Sequence, residues 1–178
     1  TLFPTIHAII ARLVPVAGLV LATCESESEA LHFPYGRDDR GQPLAVDYVP
    51  VTPQDRIERV ESGAVDLECG ATTNTALRGQ RVAFSPVIFI TGTRLAVPQD
   101  SAIRGLGDLR GKPVAVVRGT TNEAALRELD RLHRLGVGFV LAQDYRETLS
   151  LLDTGEAMAI AADDVLLRGL LVEMKAPA

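Results

Sequence analysis

The stretch Pro113-Val-Ala-Val-Val117, followed by Gly119-Thr120-Thr121-Asn122-Glu123, decides how the rest of the chain is read. The first five residues are apolar and rich in β-branched side chains, the composition of a buried strand. A Gly-Thr-Thr turn follows. Ala124, Ala125, Leu126, Leu129, Leu132 and Leu135 then recur at helical spacing with Arg and Glu between them, which predicts a helix over 120–135. Thr120 with Glu123 three residues later has the form of a capping box. A strand that feeds a Gly turn and a capped helix start aims backbone N–H groups outward at the positive end of a helix, a ready place for a carboxylate or phosphate. The same residues also suit a plain strand-to-helix connection whose Thr only caps. Read locally, that plainer reading is the favoured one.

Working outward, the same alternation continues. Gly138-Phe-Val-Leu-Ala142 predicts a strand, Asp144 to Asp153 a helix with Leu149 and Leu152 inward and Gly155 as its stop, and Ala157-Met-Ala-Ile-Ala161 a strand. Asp163-Asp164 caps a last helix through Leu171. Alternation at this spacing means right-handed βαβ units and a parallel sheet. Ligands on such sheets bind beyond the carboxyl ends of the strands. Thr121, Tyr145 and Asp163 all follow strand ends, so they are expected to face one crevice.

Upstream, residues 1–12 carry Ile6, Ile9 and Ile10, with Leu13 just beyond, at partly helical spacing and predict a short opening helix. Val16 to Thr23 reads as a strand. Residues 25–41 are charged and irregular, ending in the turn Asp38-Asp39-Arg40-Gly41. Val46 to Val51 reads as a second strand. Thr52-Pro53 then opens a helix, with Thr52 as cap, Pro53 at the first helical position, Ile57 and Val60 inward and Gly63 at the end. Ala64 to Cys69 predicts a third strand, and Gly70 to Asn74 a polar turn. Val87 to Val97 is a β-rich run long for one strand of a small lobe. It suits a segment crossing between two lobes. Ser101 to Leu109 is a short helix or turn.

Composition narrows the function. The chain has 178 residues, 47% of them hydrophobic, enough for one domain or two small lobes. Aromatics are only 4% and Trp is absent, which argues against a sugar-stacking surface. A net charge of −5, without any Lys/Arg run, argues against nucleic acid. Lys112 and Lys175 are the only lysines, so nearly all positive charge is Arg, whose rigid fork suits carboxylates. The sequence has no CxxC and no HxxxH, and His7, His32 and His133 are scattered, so no metal or cofactor is expected. Ile9 to Thr23 is apolar but too short to span a bilayer and contains Arg12, Pro15 and Gly18. Leu21-Ala22-Thr23-Cys24 has the outline of a lipoprotein cleavage box, but its Thr fits poorly and no basic start precedes it. A buried strand is the better reading.

Taken together, several pieces resemble the periplasmic amino-acid-binding proteins of ABC importers, and among these the glutamate/aspartate-binding group. The pieces are Val51-Thr-Pro-Gln-Asp-Arg-Ile57, Asp66-Leu-Glu-Cys-Gly-Ala-Thr-Thr-Asn74, Arg78, Ala83-Phe-Ser85, Gly92-Thr-Arg-Leu95, Asp108-Leu-Arg-Gly-Lys112, Gly119-Thr-Thr121 and Asp163-Asp164. Each is short; their order and spacing carry the resemblance. It implies an α/β fold of the type II periplasmic-binding-protein class, with two lobes of mainly parallel sheet and flanking helices. Residues 1–91 would form a partial first lobe, 92–98 the hinge crossing and 99–178 the second lobe. By the same resemblance, Arg78 would clamp a ligand α-carboxylate with Thr73 beside it, and Thr121 would meet that carboxylate from the other lobe. Asp163 would pair with the α-ammonium, to which the Ala71 carbonyl would also be an acceptor. Arg56 matches an arginine that holds an acidic side chain. Tyr145 stands where the family has a His that touches the same group.

The departures are specific. Cys24 stands where the family has an Arg, and Pro53 where it has a Ser. The family disulfide partner of Cys69 is absent; Cys24 and Cys69 are both expected near the ends of neighbouring strands, which makes Cys24 a candidate partner. A helix the family carries between Leu44 and Ala45 is expected to be deleted, and the chain stops at Ala178 before the expected end of the first lobe. The first lobe is therefore expected to be incomplete, with apolar sheet face left for a partner chain. The implied function is capture of a polar, acidic amino acid outside the cytoplasm, in the periplasm, by cleft closure, with permease subunits in the membrane as partners and without enzymatic chemistry. The alternatives are an amino-acid-sensing domain of a receptor or cell-wall enzyme, and a truncated relative with little binding. No nucleophile–base pair supports an independent enzyme.

Overall fold

The computed structural model of the chain describes residues 4–7, 10–11, 18–23 and 45–173. The chain divides into two compact units, Ile6–Phe89 and Ile90–Ala178, the second joined by Thr1–Thr5.

The amino unit is built on strands β2 (Ile10–Ala11), β3 (Gly18–Thr23), β4 (Ala45–Pro50), β5 (Leu67–Glu68) and β6 (Ala83–Phe84), in the order β4-β3-β5-β2-β6. β3 pairs parallel with both β4 and β5, while β2 pairs antiparallel with β5 and β6. Pro50 lies at the end of the edge strand β4, where a missing N–H is tolerated. Helix α1 (Arg56–Glu61) follows β4, and the four-residue α2 (Ala76–Gly79) follows β5. Val51, Ile57, Val60, Val65 and Val82 form a buried cluster, against which Val49 and Phe84 pack.

Three expectations fail here. The opening helix is instead the strand β1 (Pro4–His7) and then β2; sheet pairing of β-branched Ile6 and Ile10 overrides their helical spacing. The helix after β4 begins at Arg56 rather than Pro53, because Asp55 Oδ1 accepts from the Thr52 amide at 2.6 Å and from its hydroxyl at 2.8 Å. This closes a turn first and leaves Asp55 as the N-cap. The third strand is only Leu67–Glu68, since the Arg59 carbonyl accepts from the Val65 amide at 3.2 Å and keeps the preceding residues in the helix exit.

The carboxyl unit holds β7 (Phe89–Ala96), β8 (Pro113–Val117), β9 (Gly138–Ala142) and β10 (Ala159–Asp163), with β1 at one edge, in the order β1-β7-β10-β8-β9. β8 pairs parallel with β9 and β10, and β10 pairs antiparallel with β7. A 3₁₀ turn at Leu106–Leu109 precedes β8. Helices α3 (Thr121–His133), α4 (Tyr145–Asp153) and α5 (Asp164–Glu173) complete the unit. One cluster centres on Leu109, Val114, Val116, Leu126, Ala159 and Ala161. The other, with Ala115, Ala157, Ile160, Ala162 and Leu167, takes the opposite side of the alternating strands. The expected strand over 157–161 sits two residues later, so Asp163 is the last residue of β10 and immediately precedes α5. No helix among the described residues is long and apolar enough to cross a membrane.

Candidate functional site

Each unit gathers part of the expected site at the carboxyl edge of its parallel strands. In the amino unit, β4 leads to Arg56 and β5 leads to the loop 70–74. Arg56 is only 5% exposed, and its Nη1 lies 3.5 Å from Oε1 of Glu68, itself fully buried. Thr72 Oγ1 lies 2.9 and 2.8 Å from the two Glu68 carboxylate oxygens. Thr73 is buried, and its carbonyl accepts from Arg78 Nη1 at 3.0 Å. The Thr75 side chain accepts from the Arg78 amide at 3.2 Å, capping the short α2 and setting the direction from which Arg78 returns to its own loop. Ala71 is half-buried in the same loop. Cys69 is a free thiol, and its candidate partner Cys24 lies outside the described residues. Burial first, and then the neighbouring Glu68 charge, push the Cys69 thiol above its ordinary range.

In the carboxyl unit, β10, β8 and β9 run parallel and end together. Asp163 ends β10, Thr121 begins the helix after β8, and Tyr145 begins the helix after β9. These three expected residues therefore share one sheet edge. Asp163 is 2% exposed. The Tyr145 side chain packs against the Ala115–Ile160 cluster, so part of its ring serves the core.

The helix start at Gly119–Glu123 shows how its amides are used. Gly119 adopts φ 76, the left-handed conformation that favours glycine. The Thr120 hydroxyl donates to the Val117 carbonyl at 2.7 Å and accepts from the Glu123 amide at 3.3 Å. The Glu123 carboxylate reaches back past the N-cap to the Gly119 amide, at 2.8 Å. The capping box thus forms one residue wider than expected.

Sequence reading overlooked a polar set behind these residues. Thr93 pairs in register with Asp163, and its hydroxyl lies 2.5 Å from the Asn122 side-chain carbonyl, with both residues 1% exposed. The Thr91 hydroxyl donates to the Asp164 carboxylate, and this bond, acting against desolvation, holds Asp164 below the ordinary carboxylate range. The signal for them was the period-two placement of Thr91 and Thr93, which puts both on one face of a strand. Glu68 and Thr72 were likewise overlooked; a carboxylate four residues before a Thr, in a run leading into a loop, carries no local signature.

Residues 38–168 match the family of bacterial extracellular solute-binding proteins, family 3. The chain belongs to that family. It is 39% identical over 134 residues to a glutamate/aspartate import solute-binding protein of Salmonella typhimurium, covering 75% of this chain and 44% of the relative. It is 40% identical, with the same coverage, to an L-glutamate/L-aspartate-binding protein of Pseudomonas aeruginosa. The chain thus spans less than half the length of these relatives. Its fold matches that of an ancestral arginine-binding protein bound to glutamine, with a TM-score of 0.72 at 23% identity, over 90% of this chain and 75% of that one. As a family 3 chain it has the expected type II periplasmic-binding-protein fold, with α/β units of mixed, mostly parallel sheet flanked by helices.

Proposed function

We propose that this chain captures a polar, acidic amino acid outside the cytoplasm, in the periplasm, and presents it to the membrane permease of an ABC importer. Arg78 with Thr73 would hold the α-carboxylate, Thr121 would meet it from the carboxyl unit, and Asp163 with the Ala71 carbonyl would take the α-ammonium. Arg56 would face the side-chain carboxylate, with Tyr145 near it. A planar guanidinium matches a carboxylate bidentately, and a buried aspartate balances an ammonium. Capture would end in closure of the two units by a hinge motion at the crossing between them. The chemistry asked of the site is binding alone.

The observation that carries this reading is the grouping of the candidate residues at two strand edges, Arg56 and the 70–78 segment in one unit and Thr121, Tyr145 and Asp163 in the other. The acidic preference is supported by the two glutamate/aspartate-binding relatives. Isothermal titration against a panel of amino acids tests it. Binding of L-glutamate or L-aspartate ahead of neutral and basic amino acids is the expected result. Silence across the panel would sink the import reading for this chain.

A further inference from the structure

One buried carboxylate touches both arginine neighbourhoods of the amino unit. Glu68 stands 3.5 Å from Arg56 and accepts from the Thr72 hydroxyl at 2.9 and 2.8 Å. Thr72 precedes Thr73, whose carbonyl holds Arg78 at 3.0 Å. A single side chain thus ties the start of α1 to the loop that carries Ala71, Thr73 and the anchor of Arg78. A buried ion pair is a weak device for stability, because well-packed apolar residues do that as well or better. Its stronger effects are to fix a geometry and to set a local charge.

We propose that Glu68 is a positioning and specificity-determining residue of the amino-acid site. It holds the Arg56 guanidinium in place and cancels part of its charge. The site then admits neutral side chains more readily than an uncompensated Arg56 would allow. Thr72 keeps the Glu68 carboxylate turned toward Arg56. This inference rests on the reading of the amino unit as half of an amino-acid site, and the experiment separates the two.

The full chain and its Glu68→Gln variant are titrated with L-glutamate and with L-glutamine, and the ratio of the two affinities is the readout. Gln still accepts from Thr72 but brings no negative charge to Arg56. The ratio should move toward glutamate by about tenfold, the scale expected when one partly screened charge a few ångströms away is removed. Glu68→Asp keeps the charge but withdraws it by one methylene, so it should shift the ratio the same way by less, and it serves should the Gln variant fail to fold. Thr72→Val should weaken both ligands with a smaller change in ratio. A purely structural Glu68 would lower both affinities equally; an unchanged ratio in a variant that still binds overturns the proposal. If the parent chain binds neither ligand, the site itself fails, and the role of Glu68 falls with it.

Discussion

Arg78 is held by its own loop. Its Nη1 donates to the Thr73 carbonyl five residues earlier, and its amide is tied to Thr75. A long side chain fixed in this way gives up less rotamer freedom on binding. A ligand held by the native state at a hundredfold excess over its Kd adds about 2.7 kcal/mol. For a chain of this size that raises Tm by about 5–10 °C. L-Glutamate should produce such a shift in the parent chain, and Arg78→Ala should abolish it. Differential scanning fluorimetry reads both, and a variant that keeps the shift removes Arg78 from the site. Thr93 offers a second test at this scale. Its hydroxyl donates to the buried Asn122 carbonyl, so Thr93→Val leaves that acceptor without its donor inside the protein. The expected cost is about 1–3 kcal/mol of unfolding free energy. Thr93→Ser keeps the hydroxyl and should recover the hydrogen-bond part of that loss in urea titrations.

Among the elements, α3 is the one whose start depends most visibly on one side chain. Thr120 caps the Glu123 amide and ties the turn to the end of β8 through the Val117 carbonyl. Thr120→Ala should therefore cost about 1–2 kcal/mol, the upper part of the range for a lost N-cap. Thr120→Ser should restore most of it, measured by urea unfolding. This element was legible from sequence because three independent signals agreed: the β-branched run, the Gly turn and the Thr–Glu pair. The strands and helices from Pro113 to Asp153 were legible for the same reason. β10 slipped by two residues because Ala157 to Ala162 is an unbroken apolar run with no turn residue to mark its end. That slip hid the placement of Asp163 inside a strand. The first dozen residues misled in the opposite way, with a helical spacing of isoleucines overruled where β2 finds partners more than fifty residues away in β5 and β6. The four-residue α2 is too short to show a period. Of the candidate site, the residues carried by resemblance were nameable in advance. The supporting set of Glu68, Thr72, Thr93 and Asn122 was not, because their contacts join segments that no local pattern relates.

At the scale of the whole molecule, five carboxylates among the described residues set a common acid limit. Asp55 in the amino unit is pushed up by desolvation, but hydrogen bonds from Arg59 and Thr52 outweigh this and hold it below its ordinary range. Arg81 does the same for Glu61, the Arg104 and Gly105 amides for Asp108, Arg131 for Glu128, and Thr91 for Asp164. Each of these groups has a folded pKa below its unfolded value. Each therefore contributes stability that is fully present above the unfolded pKa and is lost as pH falls through the folded one. Unfolded Asp and Glu titrate near pH 4. The Tm followed by circular dichroism should change little through these groups from pH 7 to about 5 and then fall steadily below about 4. Salt separates the contributions. The Glu61–Arg81 and Glu128–Arg131 pairs are exposed, at 2.5 and 2.6 Å, and are screened. Asp108 is held by backbone amides at 2.9 and 3.0 Å, whose dipoles salt screens little. In 0.5 M NaCl the acid loss should become shallower as the ion-pair part is screened out. Asp108→Asn, which cannot offer the same charge to those two amides, should flatten the acid limb further at both salt concentrations. An acid limb that salt erases completely would mean that the exposed pairs alone carry it.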